Sequence, residues 1–454
     1  ISGTSNSFVV KPHSYLITLS DGETGSDYEA DSATDSIYKK AGEPFTVTVT
    51  ARSFDESTTP NFGNESSSSV TVDLNHSLAR PNNEDDGFTG VPGMLNGTWS
   101  NHINNSGRFS GDYSFNEVGI IDLTASIDYL GTGIVTTTLS SIGRFTPASL
   151  SLTVINDGTF ISANTDGTLN FTYVGQPFSY DPADRPSLRV TALNASSPAT
   201  LTSNYSGAWG KLNADSIEFT EPTSDEIQDG TAVSTRMALA YVQDPEGFRD
   251  PTITANPPAA VNGIFDAAFA NDEFTYDKDS NSQISPFTPN VNLIITKVTD
   301  DDEIISTGSI TLNPTGSETI RFGRMRMVSA HGSEIEPLEM AYYLEYFDSP
   351  NWLLHDDENS TITADDISSD PTGISVTSIK QTTPEGKFYI TLSPPGLGND
   401  GAYSITTDVL GSEEPWLQYD WENDDNFDDN PSGTATFGIY KGNSHQIFSR
   451  QAFQ

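Results

Sequence analysis

AGEPFTVTVTARSF, residues 41–54, is the stretch that decides the fold class. Phe45, Val47, Val49 and Ala51 fall on one side of an extended chain, and Thr46, Thr48 and Thr50 on the other. Successive side chains of a strand point to opposite faces, so one face is dry and one wet. Ile121, Leu123, Ala125, Ile127 and Tyr129 alternate in the same way with Asp122, Thr124, Ser126 and Asp128. No amphipathic helix longer than about two turns is expected anywhere. With 36 Gly and 26 Pro, the chain suits short strands joined by frequent turns.

The same stretch has an echo. VGQPFSY at 174–180 repeats AGEPFTV at 41–47, and RFTPASLSLTV from Arg144 repeats FVVKPHSYLITL from Phe8. TARSF…TTPNFG across 50–63 is matched by TALNA…TSNYSG across 191–207. A repeat of more than 100 residues means tandem domains, since solenoid periods are shorter. The expected fold is therefore all-β: tandem antiparallel β-sandwich (Ig-like) modules at 1–144 and 145–317, followed by a C-terminal β domain at 318–454. That last domain is expected to end in a hairpin. Ala435, Phe437 and Ile439 alternate with polar residues, Gly442-Asn443 suits a two-residue turn, and 445–453 would return as the final strand.

The third region opens with ETIRFGRMRMVSAHGSEIEPLEMAYYLEYF, residues 318–347. Ile320 and Phe322 lie on one face and Met325 and Met327 on the other, so the period-2 pattern slips by one residue at Gly323, where a bulge would re-aim the strand. In the run that follows, Met340, Tyr342, Leu344 and Tyr346 share a face opposite Tyr343 and Phe347, which predicts a strand covered on both sides. Arg321, Arg324 and Arg326 crowd into six residues of a chain with 21 basic and 63 acidic side chains. Two readings follow. The guanidinium groups neutralise nearby carboxylates such as Glu334 and Glu336, or they form a site for an acidic sugar or carboxylate, which the fork geometry of Arg favours.

A formal charge of −42 argues against nucleic acid or an anionic membrane as partner, because both require clustered positive charge. The absence of cysteine excludes disulfides and thiolate metal sites. Low Lys with abundant Asp, Asn, Thr, Ser and Gly is a composition familiar in secreted proteins of marine or halotolerant bacteria. No run approaches the roughly 20 apolar residues of a membrane span. A start at Ile without Met is expected of a segment processed or excised from a longer precursor.

Calcium is the cofactor that the residues favour. DKDSNSQ at 277–283 sets Asp277, Asp279 and Asn281 at alternate positions, like the first half of a calcium loop, although Ser282 stands where the turn glycine belongs. WENDDNFDDNPSG gathers Asp424, Asp425, Asp428 and Asp429 beside Trp421 and Phe427, and a hard cation would relieve their repulsion. The competing reading of both stretches is a solvated polar loop. Carbohydrate contact is a further candidate. Trp416 and Trp421 flank the acidic loop and offer faces on which a sugar ring could stack, against the reading that tryptophans in sandwiches pack in cores.

RFGRMRMVSAHGSE…YYLEYF, followed by ATFGIYKGN…IFSRQAF at the end of the chain, resembles the C-terminal region of MshQ-like proteins, a bacterial family associated with the mannose-sensitive haemagglutinin type IV pilus. The resemblance implies an extracellular protein tied to pilus assembly or display, with pilus or other surface-protein subunits as partners. It brings no catalytic residues. The sequence has no G-x-S-x-G elbow, H-E-x-x-H pair or phosphate loop, and its six histidines lie far apart. A polysaccharide-active enzyme needs only two carboxylates, and nothing in the sequence favours a pair. The expected role is a non-enzymatic adhesin or structural component at the cell surface; the alternative is a stalk or self-assembling filament subunit that presents a separate binding domain.

Overall fold

The computed structural model describes residues 10–20, 28–64, 70–101, 107–163, 171–220, 263–269, 272–278, 283–316, 319–355, 362–382, 387–410 and 414–438, with short strands between 223 and 255. Apart from four single-turn 3-10 segments, the regular structure of these residues is strand. In the strand Pro44–Arg52, Phe45, Val47, Val49 and Ala51 are buried, as their alternation predicts. Ile121, Leu123, Ala125 and Ile127 are likewise buried along Gly119–Tyr129.

The strands form tandem sandwiches of Ig-like plan. In the first module one sheet runs Ser14–Ser20, Pro44–Arg52, Arg108–Phe115, Leu95–Asn101, and the facing sheet runs Lys39–Lys40, Ile134–Thr146, Gly119–Tyr129, Val70–Arg80. The third module has the same order. One sheet is Gly323–Met327, Leu338–Asp348, Lys387–Leu392, Val376–Thr382, and the other is Ala330–Gly332, Ser432–Phe437, Gly401–Thr407, Ile367–Asp370. The second module repeats the first of these sheets with Ser149–Asn156, Ser187–Leu193, Ile264–Ala268 and Thr252–Ala255. Each module also pairs a short early strand in parallel with a late one: Lys39–Lys40 with Phe145–Thr146, Phe171–Tyr173 with Thr319–Arg321, and Ala330–Gly332 with Ala435–Phe437.

A tight turn follows each of those parallel strands. The amide of Glu43 donates to Lys40 O, that of Gln176 to Tyr173 O and that of Glu336 to Ser333 O. In the first two turns the third residue is Gly42 or Gly175, with φ of +88° and +89°, a left-handed conformation that costs a residue without Cβ nothing. The side chains of Glu43 and Gln176 bond back to the amides of Lys40 and Tyr173, so the G-x-P-F echo marks one recurring local structure.

The echo extends to single hydrogen bonds. The amide of Thr59 donates to Ala51 O and that of Thr202 to Ala192 O; Phe62 N donates to Thr59 O and Tyr205 N to Thr202 O. His13 N donates to Arg52 O as Ala148 N does to Leu193 O. Asn61 in the first module therefore corresponds to Asn204 in the second, and Phe54 to Ala195.

Connections between modules are almost absent. Pro147 and Ala148 alone separate Ile134–Thr146 from Ser149–Asn156, and Phe322 alone separates Thr319–Arg321 from Gly323–Met327. The pattern slip at Gly323 is this crossing. Ile320 and Phe322 enter the core of the second module, while Met325 and Met327 enter that of the third. Glycine is required at 323 because a Cβ there would run into the ring of Tyr173. The cores interlock accordingly. That of the second module includes Ala30, Ala33, Val118 and Ile120 of the first, and that of the third includes Phe171 and Tyr173 of the second. Ile439, the Gly442-Asn443 turn and the returning strand at 445–453 lie outside the described residues.

Candidate functional site

Chemistry-bearing side chains gather where modules meet. At the second junction the strand after Phe322 brings Arg324 opposite Glu345 on Leu338–Asp348. Glu345 is buried and serves two cations. Arg324 donates through Nε and Nη2 to its Oε2 at 3.0 and 2.8 Å, and Arg326 through Nε and Nη2 to its Oε1 at 3.0 and 2.7 Å. The carboxylate that neutralises these arginines is thus Glu345, not Glu334 or Glu336, which sit on the turn at the far end of the module. Strand pairing decides this, because Arg324 and Glu345 are direct cross-strand partners.

Aromatic rings cover the same face. The Arg324 guanidinium lies 3.6 Å from the ring centre of Trp352, 5.0 Å from Tyr419 and 5.2 Å from Trp421. Arg326 lies 4.7 Å from Tyr343. Such stacking is favourable for a planar, weakly hydrated cation, and it supplies the second cover expected for the strand Leu338–Asp348. Arg321, one strand earlier, sits 4.9 Å from Phe171 and 4.8 Å from Tyr346. Its Nη1 lies 3.2 Å from Nε2 of His355, a fully buried imidazole that burial, and then the Arg321 charge, pushes down to about 3. A neutral ring is the form that accepts from a guanidinium.

Lys278 completes the junction. Its ammonium donates to Gly323 O at 2.8 Å, to Gln418 O at 2.6 Å and to Trp416 O, and it lies 5.1 Å from the Phe322 ring. Burial pushes its pKa down to about 7, while the three carbonyls oppose that by engaging all three ammonium hydrogens. Beside it opens a cleft of about 270 Å³ lined by Gly175, Tyr276, Asp277, Lys278, Trp416 and Phe427.

The structure separates the calcium candidates. Asp277 lines this cleft, whereas Asp279 and Asn281 lie outside the described residues. Asp424, Asp425 and Asp428 are exposed. Their loop is knit by its own hydrogen bonds: Asp420 accepts from the amides of Asp424 and Asp425, Asp424 from Asn426, and Asp429 from the amides of Trp421 and Glu422. Among the described residues no three Asp, Glu, His or Cys side chains converge to hold an ion. Trp416 forms a wall of the cleft and Trp421 stacks in the arginine cluster, so the two tryptophans flanking the acidic loop serve different surroundings.

The first junction uses the opposite charge. Glu117, buried between modules, accepts from the amides of Ser203 at 2.7 Å, Asn204 at 3.1 Å and Val118 at 3.0 Å. Burial raises its pKa, and the three amides act against the rise. Asn204 bonds Val91 through both ends of its amide and also reaches Val118 O. Arg144 grips Asp302 bidentately at 2.5 and 2.7 Å. None of Lys278, Glu345, His355, Glu117, Asn204 or Asp302 stands out in the sequence. In the sequence Lys278 is one residue of DKDSNSQ at 277–283, and Asp302 is one of four consecutive acidic residues at 300–303.

The DUF6701 second, third and fourth domains match residues 11–112, 117–324 and 321–451 in turn. The chain belongs to the DUF6701 family. Two of these domain matches meet or overlap at 321–324, where the strand crosses between cores. No curated protein matches the DUF6701 chain significantly. Among solved structures it is similar to the Yersinia pseudotuberculosis adhesin InvE, at 15% identity over 66% of this chain and 58% of the adhesin, TM-score 0.21. It is also similar to domains 4–9 of the surface layer protein SbsC, at 10% identity over 93% of this chain and 49% of that one, TM-score 0.22. A third is Bacteroides ovatus SGBP-B in complex with a mixed-linkage heptasaccharide, at 9% identity over 94% and 72%, TM-score 0.15. This chain thus spans little more than half the length of the adhesin, and TM-scores this low place no constraint on function.

Proposed function

We propose that this chain is a non-enzymatic, surface-displayed segment whose β modules act as one stiff unit, holding a binding surface away from the cell. The observation that supports this most is the pair of junctions. Linkers of one or two residues are reinforced by cores that share side chains and by buried charges bonded to backbone of the next module. Independent domains on flexible tethers show smaller and more polar contacts. The strong acidity suits an exposed, well-solvated protein. Association with a pilus belongs to the proposal through the two C-terminal motifs that resemble MshQ-like proteins.

Carbohydrate is the ligand class we assign to such a surface, with the cleft beside Trp416 as the place to look, since it combines an indole, a tyrosine and a carboxylate. The decisive experiment is antibody labelling of intact cells that make the protein. Surface label is expected, and label that appears only after lysis would end the reading.

A further inference from the structure

The outer face of one sheet can be compared row by row across the three modules. Thr50-Ala51 aligns with Thr191-Ala192, and E-P-F at 43–45 with E-P-L at 336–338. In the first module, cross-strand pairing sets Thr18, Thr48 and Ser110 in one row and Leu16, Thr50 and Arg108 in the next. The row of Thr48 becomes Thr153, Arg189 and Asp266 in the second module, and Ala341 with Tyr389 in the third. Those two faces are filled. Arg189 donates to Asp266 through Nε and Nη2 at 2.7 and 2.9 Å, and Lys387 lies 5.4 and 5.6 Å from the ring centres of Tyr343 and Tyr389. In the first module the hydroxyls of Thr48 and Ser110 bond each other at 2.9 Å, and over these short side chains opens a cleft of about 460 Å³.

Four hydroxyls, of Thr18, Thr48, Thr50 and Ser110, line this cleft together with two guanidiniums, of Arg52 and Arg108. Two of its nine lining residues are thus arginine, in a chain where 21 of 454 residues are basic, so positive charge is concentrated here. Arg108 is exposed. Glu56 joins the lining from the turn after Arg52, which Ser53 N closes on Ser57 O at 2.8 Å, and its Oε2 lies 3.7 Å from Nη1 of Arg52. It takes a φ of +65°, uncommon for a residue with Cβ. The next carboxylate along the strand, Asp112, already accepts from Thr46 at 2.7 Å. A module seated before this one leaves such a face open. In the second module, which follows the first, residues 197–200 of the matching turn are exposed, and Arg189 and Asp266 keep 38% and 22% of their side-chain surface.

We propose that this cleft binds an acidic sugar, a uronate unit of a polysaccharide. The sugar carboxylate meets Arg108 and Arg52, whose forked donors match its two oxygens. Its ring hydroxyls, each donor and acceptor, meet the Thr and Ser hydroxyls and the Glu56 carboxylate. The volume is that of a small-ligand site. No aromatic ring lines the cleft, so recognition rests on charge and hydrogen bonds, unlike at the cleft beside Trp416. The proposal goes beyond the surface-display reading. Binding is measured on purified chain and display on intact cells, so either can fail alone.

The test is calorimetric titration of the full chain with trimers of galacturonate, mannuronate, guluronate and glucuronate, each beside its neutral methyl ester, up to about 10 mM. At least one acid is expected to bind with Kd on the order of 1 mM, and its ester about tenfold more weakly or not at all. Arg108→Met, at an exposed position, is expected to weaken binding about tenfold, and Arg108→Lys to weaken it less. Thr48→Arg combined with Ser110→Asp, which installs the ion pair of the second module, is expected to abolish binding with the melting temperature kept. No binding of any of the four acids, an ester that binds as well as its acid, or binding that Arg108→Met and the double variant leave intact would each overturn the proposal. The last result would put the ligand elsewhere on the chain.

Discussion

The two junctions solve one problem with opposite charges. At the first, a buried carboxylate, Glu117, collects three amide hydrogens; at the second, a buried ammonium, Lys278, gives three hydrogens to carbonyls. In each case most of the bonding backbone belongs to the neighbouring module or the link to it. Backbone polar groups at the end of a sandwich are not paired within a sheet, and a single buried charge can satisfy three of them. What the comparison teaches is that the sign of the charge follows the backbone edge. Loop amides at 203–204 call for an anion, and carbonyls at 323, 416 and 418 call for a cation.

Replacing the charges is the most direct way to break this symmetry. Lys278→Met is expected to cost about 3–5 kcal/mol, since three carbonyls lose their donor. Chemical denaturation should show the loss confined to the transition of the second and third modules. Glu117→Leu is expected to cost about 2–4 kcal/mol at the first junction. Equal, small losses for both would mean that shared apolar packing, not the charge, fastens the modules.

Acid sharpens the contrast next. His355 stays neutral in the fold down to about pH 3, whereas the unfolded chain takes up that proton near its ordinary value of 6.5. Unfolding therefore gains a proton below pH 6.5, so stability falls as pH drops and stops falling near 3. Between pH 6.5 and 4.5 the loss is about 2 kcal/mol. Melting curves of His355→Phe should be flatter over that range than those of wild type. Asp302→Asn, which weakens the bidentate Arg144 pair, is expected to cost about 1–2 kcal/mol, with the loss smaller at high salt only if the pair is reached by solvent.

The smallest expected effect concerns calcium. Asp420, Asp424 and Asp429 already accept backbone amides, so millimolar calcium is expected to raise the melting temperature by no more than about 2 °C. A larger rise that disappears in Asp428→Asn would place an ion in that loop.

The alternation of Phe45 to Ala51 and the G-x-P-F echo sufficed for the fold class, because strand period and turn chemistry are local properties. The slip at Gly323 was legible for the same reason, although its meaning was larger than a bulge. The third copy of the plan was not legible: its turn has Ile335 where the others have glycine, and the strand order of its two sheets, with the parallel pairing of Ala330–Gly332 and Ala435–Phe437, reveals it. Clustering of Arg321, Arg324 and Arg326 marks the second junction, but proximity in sequence points to Glu334 and Glu336, whereas strand pairing gives Arg324 and Arg326 to the more distant Glu345 and leaves Arg321 to His355.

The sequence by itself determined that this is a tandem β protein, strongly acidic and free of cysteine, with a strand pattern that slips at Gly323; that the slip is a crossing between two cores came from the structure. Only the tertiary structure decided that Lys278 and Glu117 fasten the junctions. The reason is range. Periodicity and turns act over a few residues, whereas, Val118 apart, the backbone that bonds these two charges lies 45 to 140 residues away, which no local pattern encodes.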